Sequence, residues 1–216
     1  MTTIPLAKKI KSKIHLEIAF AQDILISELY NFFPRAVIHG GTAIWRCYYG
    51  NRFSEDVDVY LASFNKKLIE EFVNKLKKNG FTADKVKFTD NALFSKFSYK
   101  EAAVRFEAIR KNVKNYSTRK FEMLDGSFIV VNTLSPEQLI KEKAAAYLNR
   151  RKIRDLYDIF FLLNIVPEKN EIKKDLRKLL DNFKAPVDEA DLRAVIIVGV
   201  APKLADILSE IKRWAG

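Results

Sequence analysis

The spacing of apolar residues changes once along this chain, near Asn132, and this change limits the folds open to it. Before Asn132, short runs with period two alternate with helical patterns; after it, every pattern has the helical period. Strands interleaved with helices predict a mixed sheet flanked by helices, and a series of helices predicts a bundle. We therefore expect an α/β (α+β) fold, with one domain over residues 1–132 and a helical domain over residues 133–216.

The first part opens with a long helix predicted over residues 4–30, where apolar residues recur at helical spacing. Two further helices are predicted over residues 42–49 and 65–79, and Gly80 follows the second as a typical C-terminal residue. Residues 128–131 form an uninterrupted apolar run, typical of a buried strand. The predicted strands are 36–38, 56–61, 85–89, 93–99, 103–111 and 127–132.

The helical part begins with a recognisable start signal. Ser135 stands at the N-cap position, Pro136 at the first helical position and Gln138 at the third, which together predict a capping box. The helices predicted from this point are 136–149, 154–164, 171–182, 188–195 and 202–214.

The net charge of +11 attracts polyanions, of which nucleic acid is the commonest in a cell. A solvated, lysine-rich surface without a specific partner would give the same charge. Cys47 is the only cysteine, so no internal disulfide can form, and we expect it in the core. There is neither a secretory signal pattern nor an apolar run of membrane-spanning length, so we expect a cytoplasmic protein that does not enter a membrane.

Two aspartates separated by one residue mark a candidate metal site. Asp56 and Asp58 lie on one predicted strand, and side chains two apart point to the same face. Neighbouring carboxylates repel each other, and a bridging divalent cation removes that penalty. Carboxylate oxygens suit Mg²⁺ or Mn²⁺, which also bind substrate phosphates. Two solvent-facing aspartates on an edge strand are the alternative.

A pair of glycines precedes this strand, between another predicted strand and a helix. Gly40 and Gly41 would let a phosphate approach the backbone, and the amides of the helix N-terminus favour an anion. Thr42 adds a hydroxyl donor, whereas His39 is more typical of a strand-end packing residue than of a base. A phosphate cradle next to metal-binding carboxylates is the arrangement that phosphoryl transfer requires.

These two segments resemble a known family. The sequence His39–Ile44, HGGTAI, followed by Arg52–Asp58, RFSEDVD, is similar to the AbiEii/AbiGii toxin family of nucleotidyltransferases, which have the DNA polymerase β-type fold. The resemblance implies a catalytic domain over residues 1–132 and a third metal-binding carboxylate on a later strand. Glu107 is the best match for that carboxylate, and an edge-strand glutamate without a metal role is the alternative.

A second segment matches the same family. Lys143, followed by the sequence RDLYDI over residues 154–159, resembles the family's lysine and its R-D-x-x-D helix. The resemblance implies that Asp155 lies in the active site, as a base or a positioning group. On a helix Arg154 can pair with Asp158, which would give a surface ion pair. The resemblance also implies that Lys143 contacts the nucleoside triphosphate (NTP). The residues predicted to bind the NTP are thus Gly40, Gly41, Thr42, Ser54 and Lys143.

The sequence thus predicts an NTP-dependent nucleotidyltransferase in which Asp56 and Asp58 hold the metal. The family resemblance favours RNA, particularly tRNA, as the acceptor. It also implies the toxin of a toxin–antitoxin or phage-defence pair, with a cognate antitoxin as a partner. Two basic segments, 105–120 and 150–154, fit a polynucleotide acceptor. A protein or small-molecule acceptor remains open, as does a nucleotide- or RNA-binding module without turnover.

Overall fold

The computed structural model describes residues 4–216 and divides them into two compact units. The sheet unit contains the chain up to Tyr49 together with Phe53–Thr133. The helical unit contains Leu134–Gly216 and also the short segment Gly50–Arg52. No sequence pattern indicates that residues 50–52 group with the helices.

The sheet unit has seven strands in the order β3-β4-β5-β2-β1-β7-β6. This mixed sheet with flanking helices confirms the predicted α/β class. The helices of the unit are α1 (Leu6–Lys9), α2 (Lys13–Phe32), α3 (Gly40–Cys47) and α4 (Lys66–Lys78). The strands are β1 (Val37–His39), β2 (Asp56–Leu61), β3 (Thr82–Phe88), β4 (Ala92–Tyr99), β5 (Ala102–Arg110), β6 (Ser117–Glu122) and β7 (Phe128–Thr133).

One face of the sheet is buried and the other carries charges. On β5 the side chains of Val104 and Phe106 are buried, and Phe106 lies 5.7 Å from the Phe72 ring of α4. Because strand side chains alternate, Arg105 and Glu107 point to the opposite face. Strand β2 pairs in parallel with β5 and antiparallel with β1, which places the D-x-D segment in the middle of the sheet.

Three features of this unit differ from the sequence prediction. The predicted helix over residues 4–30 is two helices, because Ile10 is extended and Ser12 caps α2, accepting from the His15 amide at 3.5 Å. Strand β6 was not predicted. The apolar run at residues 128–131 is not fully buried, since Val130 is 67% exposed. Only the end of β7 pairs with β1, so its first residues have a single neighbouring strand, β6.

The helical unit begins as the sequence predicts. Ser135 and Gln138 form a reciprocal capping box, with the Ser135 amide donating to Gln138 Oε1 at 2.8 Å. Among residues 4–216 there is no helix long and apolar enough to cross a membrane. The helices of the unit are α5 (Pro136–Arg150), α6 (Ile153–Leu163), α7 (Lys173–Asp181), α8 (Leu192–Val195) and α9 (Leu204–Ala215), with a short 3-10 turn at Glu189–Asp191.

Candidate active site

The three carboxylates predicted as metal ligands lie on one face of the sheet, on the neighbouring strands β2 and β5. In the parallel register of β2 and β5, Asp58 stands beside Glu107, and Asp56 stands beside Arg105. All four side chains share one face because each pair on a strand is two residues apart. Glu107 therefore shares the face of Asp56 and Asp58, and its strand β5 is not at the edge of the sheet. The structure thus places the D-x-D pair and Glu107 on the same face of adjacent strands.

The glycine at the start of α3 is required by the position of Asp58. Gly40 has φ +71°, a backbone conformation that L side chains rarely adopt. A Cβ atom at this position would overlap the Asp58 carboxylate. The first turn of α3, with Gly41 buried in it, therefore approaches Asp58 directly, which places helix amides near the carboxylate face.

Two predicted nucleotide-binding residues have structural contacts here. The Thr42 hydroxyl donates to the backbone carbonyl of Asp56, and the side chain is fully buried. Ser54 is buried as well, and its carbonyl accepts a hydrogen bond from Gln22 Nε2 at 2.8 Å. Thr42 and Gln22 thus fix the start of β2 against α3 and α2. That anchoring holds the two aspartates in place.

Aromatic packing forms the floor next to the carboxylates. The imidazole of His39 stacks on the Tyr60 ring, with centroids 3.8 Å apart and planes 6° from parallel. The Lys111 ammonium lies 4.0 Å from the Tyr60 centroid. His39 therefore occupies the strand-end packing position that the sequence favours for it. Cys47 is buried as expected, and burial raises the pKa of its thiol to about 12.

Arg105 is a site residue that sequence reasoning did not assign. Its Nε atom lies 2.6 Å from Asp56 Oδ1 and its Nη2 atom 3.0 Å from Asp56 Oδ2, a bidentate pair. The Arg105 side chain is 63% exposed, so the contact is open to solvent. The signal in the sequence was its place two residues before Glu107 on one strand face.

The electrostatics of the face fit a divalent cation. Burial, and then the negative charge of Asp58, raise the pKa of Glu107 above its usual range. Repulsion among carboxylates is what a bound cation would relieve. Among residues 4–216, no three His, Cys, Asp or Glu side chains are already gathered as a metal site. Carboxylate oxygens alone are ligands that suit Mg²⁺ or Mn²⁺. One of the three carboxylates, Asp56, is paired with Arg105.

The helical unit contains a buried charge cluster built on the second family segment. Asp155 and Asp158 of α6 are fully buried, and the Lys143 ammonium of α5 lies 3.4 Å from Asp155 Oδ1 and 2.7 Å from Asp158 Oδ2. Each carboxylate also has its own arginine. Arg150 donates to Asp155 at 2.7 and 2.8 Å, and Arg52 donates to Asp158 twice at 2.6 Å.

This cluster corrects the predicted surface ion pair. Asp158 is bound by Arg52 and Lys143, not by Arg154 in the turn before it, because it faces the interior of the unit. Burial alone would raise the pKa of Asp158, but the two cations outweigh it and hold the pKa below its usual range. Sequence patterns assign no role to Arg52, the first residue of the RFSEDVD segment, because its partner lies 106 residues away.

Lys143 is the surplus cation of this cluster. Its three cations, Arg52, Lys143 and Arg150, face two carboxylates, Asp155 and Asp158, so these five side chains sum to +1. Both carboxylates have bidentate arginine partners without Lys143. The lysine can therefore serve another anion without leaving either carboxylate unpaired. Lys141, two residues earlier on α5, is exposed.

Known proteins with this fold have been solved. The structure of JHP933 from Helicobacter pylori is similar with a TM-score of 0.64 and 19% sequence identity, covering 95% of this chain and 92% of that one. MenT4, a nucleotidyltransferase toxin from Mycobacterium tuberculosis, is similar with a TM-score of 0.60 and 18% identity, covering 92% of this chain and 81% of that one. At these identities the likeness establishes the fold.

The sequence itself establishes the family. A comparison with curated proteins gave no significant match. Residues 23–197 match the profile of the family described as "Nucleotidyl transferase AbiEii toxin, Type IV TA system". That range includes the carboxylate face and the buried charge cluster, so the predicted resemblance is confirmed. The chain belongs to the AbiEii nucleotidyltransferase toxin family.

Proposed function

We propose that this nucleotidyltransferase moves a nucleoside monophosphate from an NTP onto RNA, with tRNA as the favoured acceptor, in a metal-dependent reaction. The observation that carries the proposal is the juxtaposition of Asp56, Asp58 and Glu107 on adjacent strands, against the N-terminus of α3. The neighbouring carboxylates count against a binding module without turnover, because binding alone does not need them.

The carboxylates would hold the metal, with Asp58 and Glu107 adjacent and Asp56 available when Arg105 leaves it. A bound Mg²⁺ or Mn²⁺ supplies charge neutralisation at the phosphates. The first turn of α3, with Gly40 and Gly41, offers backbone amides to the phosphates. Thr42 and Ser54 support this site through the contacts that fix the start of β2 against α3 and α2.

We assign to Lys143 a contact with the triphosphate. The support is its place as the surplus cation, since both neighbouring carboxylates keep an arginine when the lysine turns to another anion. An ammonium on a flexible stem suits a mobile polyphosphate. The same contacts favour a positioning role for Asp155 over that of a base, because both of its oxygens accept hydrogen bonds from Arg150.

In the proposed reaction an acceptor hydroxyl oxygen attacks the α-phosphorus in line. One P–O bond forms to the acceptor, the bond between the α-phosphorus and the bridging oxygen breaks, and pyrophosphate leaves with that electron pair. The hydroxyl proton passes to water or to a nearby carboxylate. Positioning of the two reactants and neutralisation of the phosphate charge supply most of the rate enhancement in such reactions.

The biological partner we propose is a cognate antitoxin that restrains this activity. The support is the family, which is that of the toxins of type IV toxin–antitoxin systems. Coexpression with the protein encoded next to this gene should relieve growth arrest caused by the toxin. Equal arrest with and without that neighbour would contradict the pairing.

The test of the proposed reaction is incubation with each α-labelled NTP, a divalent cation, and total RNA or total protein. We expect label in RNA, dependent on the cation, and no label with an Asp58→Ala variant that folds normally. Label in the protein fraction alone would overturn RNA as the acceptor. Retained transfer by folded Asp58→Ala would overturn the metal assignment.

A further inference from the structure

A basic lane runs from the carboxylate face across the same face of the sheet to its edge. The registers define two rows: Asp56–Arg105–Lys96–Lys85 and Asp58–Glu107–Phe94–Lys87. The first two residues of each row belong to the carboxylate face described above. The basic lane is the continuation on β4 and β3: Lys85, Lys87, Phe94 and Lys96.

The basic lane is open to solvent. Its three lysines are exposed, and Phe94 is 42% exposed although β4 is an inner strand. Within residues 4–216 no carboxylate pairs with these lysines, and Asp84, at the bulge of β3, is hydrogen bonded to the Ser98 hydroxyl. The lane therefore presents unbalanced positive charge around an exposed aromatic ring.

Its length fits a polynucleotide better than the triphosphate. Lys87 stands three strands from Asp58, which corresponds to about 14 Å at the usual spacing of strands. A triphosphate bound at the carboxylates would not extend that far. Lysines on an edge strand also guard against aggregation, which would explain Lys85 and Lys87 on β3. That role does not explain an exposed Phe94 beside Lys96 on an inner strand.

We propose that the basic lane binds the single-stranded acceptor segment of the RNA. Lys85, Lys87 and Lys96 contact its phosphates, and the Phe94 ring stacks against one base. The reactive end then lies toward Glu107 and Asp58, one and two strands away from Phe94. A ring flanked by cations is the combination that binds single strands without reading their sequence. This inference rests on the proposed RNA acceptor and specifies where it binds.

The test measures binding of a fluorescent, unstructured RNA oligonucleotide to the full chain by anisotropy over a range of salt concentrations. Phe94→Ala should weaken binding by about 5- to 150-fold, the loss of one base stack. Phe94→Leu should bind as weakly as Phe94→Ala, because leucine has no aromatic ring. Phe94→Trp should bind about as tightly as wild type. Lys85→Ala combined with Lys87→Ala should flatten the slope of log affinity against log salt by about 1.4, for two lost phosphate contacts.

A matched control removes the same charge elsewhere. Lys77 and Lys78 are exposed on α4, which packs on the opposite face of the sheet through Phe72. Lys77→Ala combined with Lys78→Ala should bind RNA with nearly the wild-type salt slope. Circular dichroism of each variant would show whether it is folded, so that weak binding is not attributed to unfolding.

The outcomes separate this inference from the proposed function. If wild type labels RNA but the lane variants bind it as tightly as wild type, the lane assignment is wrong while the RNA acceptor stands. A protein partner would then be favoured for this face. If wild type neither binds nor labels RNA, the acceptor and the lane fail together. Equal losses in lane and control variants would indicate general charge attraction and overturn the lane.

Discussion

Replacing Asp158 with alanine should be the most destabilising single change in the helical unit. The carboxylate accepts two 2.6 Å hydrogen bonds from Arg52 and lies 2.7 Å from the Lys143 ammonium, and the arginine and aspartate side chains are almost fully buried. Removing one member of a buried pair leaves an uncompensated charge, which costs about 3–5 kcal/mol. For a chain of this length that corresponds to a decrease in Tm of about 6–20 °C.

Thermal unfolding followed by circular dichroism measures this loss, with Arg154→Ala as the matched control. Arg154 is half-buried on the same helix, and it is the residue that the sequence would pair with Asp158. Its replacement should change the free energy of unfolding by less than ~1 kcal/mol. The double variant Asp158→Ala, Arg52→Met should regain part of the loss, because it removes both charges. A double variant as unstable as the sum of the single variants would refute the reasoning.

The same carboxylate gives a pH dependence with a defined sign. Its cation partners hold the pKa of Asp158 below the ordinary value, so the folded form binds a proton less readily than the unfolded form. Its contribution to stability is present above about pH 3.9 and is lost as the pH falls toward the lower, folded pKa. Wild type and Asp158→Ala should therefore approach each other in stability below about pH 4. A constant difference down to pH 2 would contradict the assignment.

Three further variants test the candidate site. Lys143→Ala should lower the NTP-dependent rate by about 10- to 150-fold, which corresponds to the free energy of one hydrogen bond to a charged group. The control Lys141→Ala should lower the rate by less than about 2-fold. Equal losses in the two variants would indicate general electrostatic attraction. Asp58→Ala should keep the fold and raise the free energy of unfolding of the metal-free protein by up to ~1 kcal/mol, because the repulsion between Asp58 and Glu107 is removed. A lower stability of this variant in a urea titration would contradict that reasoning. Arg105→Ala should tighten Mn²⁺ binding about 2- to 5-fold, because an exposed ion pair worth ~0.5–1 kcal/mol no longer occupies Asp56. Weaker Mn²⁺ binding, measured by calorimetry, would contradict a competition between Arg105 and the cation for Asp56.

Local patterns in the sequence predicted what local physics decides. The shared face of Asp56 and Asp58 follows from strand periodicity, and the start of α5 follows from the Ser135–Gln138 capping box. Strand β6 escaped prediction because its residues, STRKFE, do not alternate between apolar and polar, and its register depends on pairing with β7. The break before α2 escaped because apolar spacing continues across it.

Partners distant in sequence were beyond such patterns. Arg52 and Asp158 are 106 residues apart, and Arg105 and Asp56 are 49 apart, so no helical or strand spacing relates them. The position of Glu107 became certain only from the parallel register of β2 and β5. Family resemblance named several of these residues but not their contacts, which depend on how the elements pack.

Because Gly50–Arg52 belong to the helical unit, a cut between Thr133 and Leu134 does not separate the two units cleanly. These three residues group with the helices although the sheet unit precedes and follows them, so the backbone passes from one unit to the other after Tyr49, Arg52 and Thr133. A fragment starting at Leu134 would retain Asp158 without its arginine, and a fragment ending at Thr133 would carry Arg52 without its carboxylate. Splitting the chain after Thr133 would therefore separate Arg52 from Asp158 and would also break the hydrogen bond that the Ile197 amide donates to the Asn51 carbonyl.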